Sequence, residues 1–191
     1  MNNIKDFFNS LAPTWDKNEV NIKQINKLLL SLPIKKNDFI LDLGCGTGKI
    51  SSLLQDITKS NVIALDLSDK MIDIAKAKNK NKNITFLCDD YYSFTYPTLF
   101  DSIICFDAYP HFVDINKFKE KSYNLIKKDG FLIILFDISL KDINDCHHNL
   151  PFTLARQINT PDKEGLIFND SFNIIKAEES SNSYLLILQK K

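Results

Sequence analysis

Five short apolar runs punctuate the first two thirds of the chain: FILDL at 39–43, VIALD at 62–66, ITFLC at 84–88, DSIICF at 101–106 and FLIILF at 131–136. Each has the length and the β-branched or aromatic content of a strand buried on both faces. Between them the apolar positions recur at helical spacing. SSLLQDI follows the first run, and SDKMIDIAKAK follows the second with Ser68 placed as N-cap. DINKFKEKSYNLIKK follows the fourth, with Ile115, Phe118, Leu125 and Ile126 on one face and Gly130 at its end. This alternation predicts a parallel sheet covered by helices on both faces. The tail changes style. SFNIIKAEE and SYLLILQK, separated only by SSN, predict an antiparallel hairpin at the sheet edge. Residues 1–32, with the helical run VNIKQINKLLLSL, are expected to pack over one end of the sheet as a cap within a single α/β domain spanning 1–191.

Composition narrows the class. The chain has 191 residues, 44% of them hydrophobic and fourteen of them Phe, which suits one domain with an adequate core. Its 24 basic residues balance 24 acidic ones, and only Arg156 among them is an arginine. Long-range attraction to nucleic acid is not expected to organise function on such a surface. Cys45, Cys88, Cys105 and Cys146 lie far apart with no CxxC pair, as in a reduced compartment. No apolar run approaches the roughly 18 residues of a membrane span, and MNNIKDFFNS lacks a basic start followed by an apolar core. The expectation is a cytoplasmic protein without a membrane span, of open oligomeric state.

The chemistry concentrates in LDLGCGTGK at 41–49, directly after the first predicted strand. In an open parallel sheet, ligands bind beyond the carboxyl ends of the strands. A P-loop needs four residues between its glycines and a Ser or Thr after the Lys; Gly44 and Gly48 enclose three, and Ile50 follows Lys49. A dinucleotide fingerprint needs a third glycine where Lys49 stands. What remains is an acid, Asp42, ahead of Gly44, Gly46 and Gly48. An acid there repels a pyrophosphate and suits a ligand with an ammonium group. Asp66 ends the second strand, where a carboxylate accepts ribose hydroxyls. Asp89 and Asp90 end the third, where an acid takes an adenine amino group, although one of them is expected to be a turn residue. A sulfonium ligand carrying an amino acid, ribose and adenine but no phosphate fits this row.

With these stretches on the page, the sequence resembles the class I S-adenosylmethionine-dependent methyltransferases over almost its whole length. The matching stretches are ILDLGCGTGKI, ALDLSDKMIDIAK, FLCDDYYSF, FDSIICFDAYPHF and LIKKDGFLIILFD, and FFNSLAPTWD echoes the N-terminal pattern of the ubiquinone and menaquinone branch. The resemblance implies a three-layer, Rossmann-like, doubly wound sheet of seven strands, mostly parallel with an antiparallel C-terminal hairpin. It implies S-adenosyl-L-methionine as cofactor and a small-molecule methyl acceptor as partner. Gly44, Gly46 and Gly48 would let the backbone approach the methionine end, with Asp66 and Leu67 at the ribose. Met71, Asp89, Asp90 and Tyr91 would border the adenine, Phe106 would face the cofactor, and Trp15, followed by Asp16, would act as a lid.

For the acceptor side the sequence offers His111 in DAYPHF, His147 and His148 in DCHHNL, and Tyr109. These are candidate bases or substrate contacts, a base being needed only where the acceptor loses a proton. Cys146, His147, His148, Asp142 and Asp145 supply metal-ligand types, but adjacent histidines on a helix point about 100° apart, so no metal is expected. Arg156 is expected in a surface ion pair, and Cys45 as a small filler. Phe8, Trp15, Tyr109, Phe112 and Phe152 are candidates for an apolar mouth. The acceptor atom stays open. A noncatalytic S-adenosylmethionine-binding module and an NAD-dependent oxidoreductase remain the alternatives.

Overall fold

The computed structural model of the protein describes residues 4–17, 21–80 and 82–191. They divide into two compact units, 1–94 and 95–191. The first unit carries α1 (Ile4–Leu11), a 3-10 turn (Ala12–Lys17), α2 (Ile22–Leu30), β1 (Ile40–Leu43), α3 (Ser51–Thr58), β2 (Val62–Asp66), α4 (Asp69–Lys78) and β3 (Ile84–Cys88). β1 pairs with β2 and β2 with β3, all parallel. Because β1 and β2 are buried almost throughout, their sequences read as continuous apolar runs rather than alternations. Ser68 caps α4 as expected, its hydroxyl accepting the Met71 N–H at 3.1 Å. The N-terminal cap is present as helices that rest on other helices: α1 and the 3-10 turn pack on α4, and α2 packs on α3.

The second unit carries β4 (Phe100–Phe106), a 3-10 turn (Tyr109–His111), α5 (Ile115–Leu125), β5 (Ile126–Phe136), α6 (Leu140–His147), α7 (Pro161–Gly165), a second 3-10 turn (Leu166–Phe168), β6 (Phe172–Ser180) and β7 (Ser183–Lys190). β4 and β5 are parallel, and β7 runs antiparallel to both β5 and β6. The strand order is β3-β2-β1-β4-β5-β7-β6, a seven-stranded, mostly parallel sheet ending in the expected hairpin. Tyr109, Phe118, Phe168 and Phe172 are fully buried here and meet mainly edge to face.

One boundary differs from the sequence reading. α5 stops at Leu125, and Gly130 does not end it; Ile126 opens β5 and pairs with Phe100. The next pair is Ser102 with Phe131, so residues 127–130 bulge outward. Asp129 takes a left-handed φ of 63°, and a Cβ on Gly130 would lie 2.7 Å from the Asp101 carbonyl oxygen. Adjacent Leu125 and Ile126 satisfy helical and strand spacing alike, so periodicity does not separate the two elements.

Candidate functional site

The turn after β1 is built on left-handed backbone, with φ of 71° at Gly44, 52° at Gly46 and 77° at Gly48. Its N–H groups reach across to the end of β2. Gly44 and Cys45 donate to the Leu65 carbonyl at 2.8 and 3.0 Å, and Gly46 donates to Asp66 Oδ2 at 2.8 Å. The other oxygen of Asp66 accepts the Ser68 N–H at 2.8 Å. One carboxylate thus ties the glycine turn to the start of α4. Gly48 has a packing reason of its own: a Cβ there would meet the Phe86 ring at 3.1 Å and the Asn79 amide at 2.9 Å.

Asp42 lies beneath this turn, buried, with Ser51 donating to its Oδ2 at 2.5 Å. Burial pushes its carboxyl up to about 7; the Ser51 hydrogen bond pulls it down and the Asp66 charge adds to the rise. Asp66 is also raised by burial, against the N–H groups of Ser68, Gly46 and Leu67 that favour its charge. Cys45 is buried with its thiol pushed well up, first by burial and then by Asp42 and Asp66, which keeps it protonated.

The aromatic-acid pair at the N-terminus closes on the same turn. Trp15 Nε1 sits 3.6 Å from the position of a Cβ on Gly46, its ring edge-on to Phe8 at 5.8 Å, and 41% of the residue is exposed. Asp16 accepts the Thr47 hydroxyl at 2.8 Å and pairs with Lys78. Met71 and Tyr91 are buried, and Leu67 is partly exposed. Asp89 and Asp90 are exposed; Asp90 shapes a turn by accepting the Tyr92 N–H on its side chain and the Ser93 and Phe94 N–H groups on its carbonyl. Asp89 accepts the Asp90 N–H at 2.8 Å.

In the second unit Phe106 is buried at the end of β4, and Asp107 after it has a left-handed φ of 53°. Tyr109 is fully buried and donates its hydroxyl to Glu164 at 2.8 Å. Arg156 also binds Glu164, and its guanidinium lies 4.7 Å from the Tyr109 ring centre. This corrects the expected surface pair: the Arg156 side chain is 10% exposed and that of Glu164 is 0% exposed. Burial works to raise the Glu164 carboxyl, but Arg156 and the Asn159 and Tyr109 hydrogen bonds hold it below its ordinary value, so it stays charged. His111 and His147 meet, with Nε2 atoms 3.2 Å apart, whereas His148 is exposed.

Sequence reasoning passed over Ser51, Thr47, Asn9 and Glu164. Ser51 and Thr47 are small hydroxyls in and just after a glycine turn, which was a usable signal. Asn9 accepts the Ser68 hydroxyl at 2.6 Å and donates to Asp69. Neither it nor Glu164 carries a local mark, because their partners lie far away in the chain.

A mostly parallel sheet with a glycine turn after β1 and an acid ending β2 defines the Rossmann-like class of nucleoside-binding folds. Residues 40–130 match the family described as a methyltransferase domain. The chain is 31% identical over 145 residues to a demethylmenaquinone methyltransferase of Lactobacillus johnsonii, covering 69% of this chain and 59% of that one. It is 28% identical over 132 residues to a malonyl-(acyl-carrier protein) O-methyltransferase of Bacillus anthracis, covering 66% and 49%. The chain spans about half the length of the first curated relatives it matches. Its fold is shared with magnesium protoporphyrin IX methyltransferase from Synechocystis PCC 6803, solved with bound SAH, at a TM-score of 0.72 and 21% identity over 98% of each chain. Among the described residues no helix is long and apolar enough to cross a membrane.

Proposed function

We propose that the protein is an enzyme that moves the methyl group of S-adenosylmethionine to a small-molecule acceptor by in-line displacement. The observation that carries this reading is Asp66, which ends β2 with both carboxylate oxygens on backbone N–H groups and lone pairs left for ribose hydroxyls. Gly44, Gly46 and Gly48 give the methionine end its approach to the backbone, Asp42 supports that turn from beneath through Ser51 rather than meeting the ammonium as an exposed charge, and Trp15 covers it. Met71, Asp89, Asp90 and Tyr91 serve the adenine. His111, His147, His148 and Tyr109 are assigned to the acceptor half. The buried Tyr109 hydroxyl supports a wall rather than a proton carrier there. Of the curated relatives named above, the demethylmenaquinone methyltransferase supports a small acceptor, and four free cysteines support a cytoplasmic protein.

The test is calorimetric titration with S-adenosylmethionine, S-adenosylhomocysteine and NAD. One-to-one binding of the first two and none of the third is expected; binding of NAD alone would overturn the assignment. Asp66→Ala is expected to weaken S-adenosylmethionine by about 1–3 kcal/mol, about 5- to 150-fold, through lost charge-assisted hydrogen bonds. Unchanged affinity would remove Asp66 from the ribose. Turnover against a panel of small acceptors separates the enzyme from a noncatalytic cofactor-binding module.

A further inference from the structure

The segment that carries Trp15 has little apolar anchorage. No residue of α1 is buried, and in the 3-10 turn after it only Ala12 is. Polar contacts hold the segment instead. Lys5 pairs with Asp69 at 3.1 Å, and Asn9 accepts the Ser68 hydroxyl at 2.6 Å and donates to Asp69 at 3.0 Å, so α1 is fastened to the start of α4. Asp16 makes the second fastening. Its Oδ1 accepts the Thr47 hydroxyl at 2.8 Å, and its Oδ2 pairs with Lys78 in the last turn of α4. Thr47 stands between Gly46 and Gly48 and is 1% exposed, so the acid reaches into the glycine turn itself. The neighbouring Trp15 ring rests on that turn, with Nε1 3.6 Å from the position of a Cβ on Gly46.

We propose that Asp16 is a positioning residue of the donor site: its hold on Thr47 keeps the Trp15 ring on the glycine turn and sets how long the nucleoside product of methyl transfer is retained. The inference rests on the assignment of that turn to S-adenosylmethionine and adds the device that keeps the ligand in. Of the two Asp16 contacts, the one to Thr47 carries the hold. A hydrogen bond from a buried hydroxyl to a carboxylate is charge-assisted and shielded from water. The Asp16–Lys78 pair, with side chains 38% and 46% exposed, is screened and contributes little. A segment with so little buried apolar surface opens locally at low cost once its polar contact is lost. Loss of Asp16 is therefore felt in release of the ligand, because an open lid adds a way out while the groups assigned to the donor all remain.

Trp15 is the only tryptophan of the chain, so its emission reports the lid directly. Release of S-adenosylhomocysteine is followed by stopped-flow fluorescence on rapid dilution, and acrylamide quenching of Trp15 is measured without ligand. Asp16→Ala is expected to release S-adenosylhomocysteine at least about fivefold faster than the wild type and to be quenched more strongly, with its fold confirmed by circular dichroism. Asp16→Asn, which keeps a carbonyl oxygen for Thr47 but not the charge, is expected to fall between the two. Thr47→Val is expected to speed release where Asp16 is present and to add nothing in the Asp16→Ala background. A wild-type release rate in Asp16→Ala, or release from Asp16→Asn as fast as from Asp16→Ala, overturns the inference alone. Failure of the wild type to bind S-adenosylhomocysteine overturns the donor-site assignment and the inference together.

Discussion

Asp42 shows what a single buried carboxyl contributes. Its carboxyl is raised from 3.8 to about 7 mainly by burial, so between those values the folded chain holds a proton that the unfolded chain has released. Stability from this group is complete below about pH 4 and is lost as pH rises to about 7, with a slope of roughly 1.4 kcal/mol per pH unit. Asp42→Asn keeps an oxygen for the Ser51 hydroxyl and removes the ionisation. It is expected to be more stable than the wild type at pH 8 and to lose the decline between pH 4 and 7, measured by urea unfolding at each pH. An unaltered slope would show that Asp42 ionises as an ordinary carboxylate. Gly48 makes a complementary point: its side-chain-free position answers to Phe86 and Asn79 as well as to its positive φ. A glycine in a ligand-binding motif can serve the packing beneath it.

At the scale of elements, a charged cluster fixes the segment between α6 and β6. Glu164 Oε1 accepts from Tyr109 and Arg156, and Oε2 accepts the Asn159 backbone and side-chain N–H groups at 3.0 Å each. Arg156 also donates its backbone N–H to the Pro110 carbonyl at 3.0 Å. The residues after α6 are thereby tied to the turn that follows β4. Glu164→Ala strands a guanidinium in the interior and is expected to cost about 3–5 kcal/mol in chemical denaturation. A loss under about 1 kcal/mol would mean that water reaches Arg156. The strand and helix boundaries themselves were legible wherever one period held, as at VIALD and ITFLC, whose limits coincide with β2 and β3. The α5–β5 junction was not, because sheet pairing of Ile126 with Phe100 decided it.

Across the whole molecule, two buried groups oppose each other in acid. His111, lowered from 6.5 to about 4 chiefly by burial, binds a proton in the unfolded chain before it does so in the folded one. Its contribution to stability is lost as pH falls through that window, while that of Asp42 is gained. His111→Gln is expected to lose less of its thermal midpoint than the wild type between pH 7 and 4.5; an equal loss would assign the acid sensitivity elsewhere. The sequence by itself determined the alternation of strands and helices, the glycine turn, its acids at Asp42 and Asp66, and the Ser68 cap, since these follow from side-chain period, backbone φ and short-range hydrogen bonds. Only the tertiary structure decided that Asp42 is buried, that His111 meets His147 rather than His148 meeting either, and that Arg156 is paired inside with Glu164. Burial and cross-chain distance set the charge state of each group, and neither is a property of neighbouring residues in the chain.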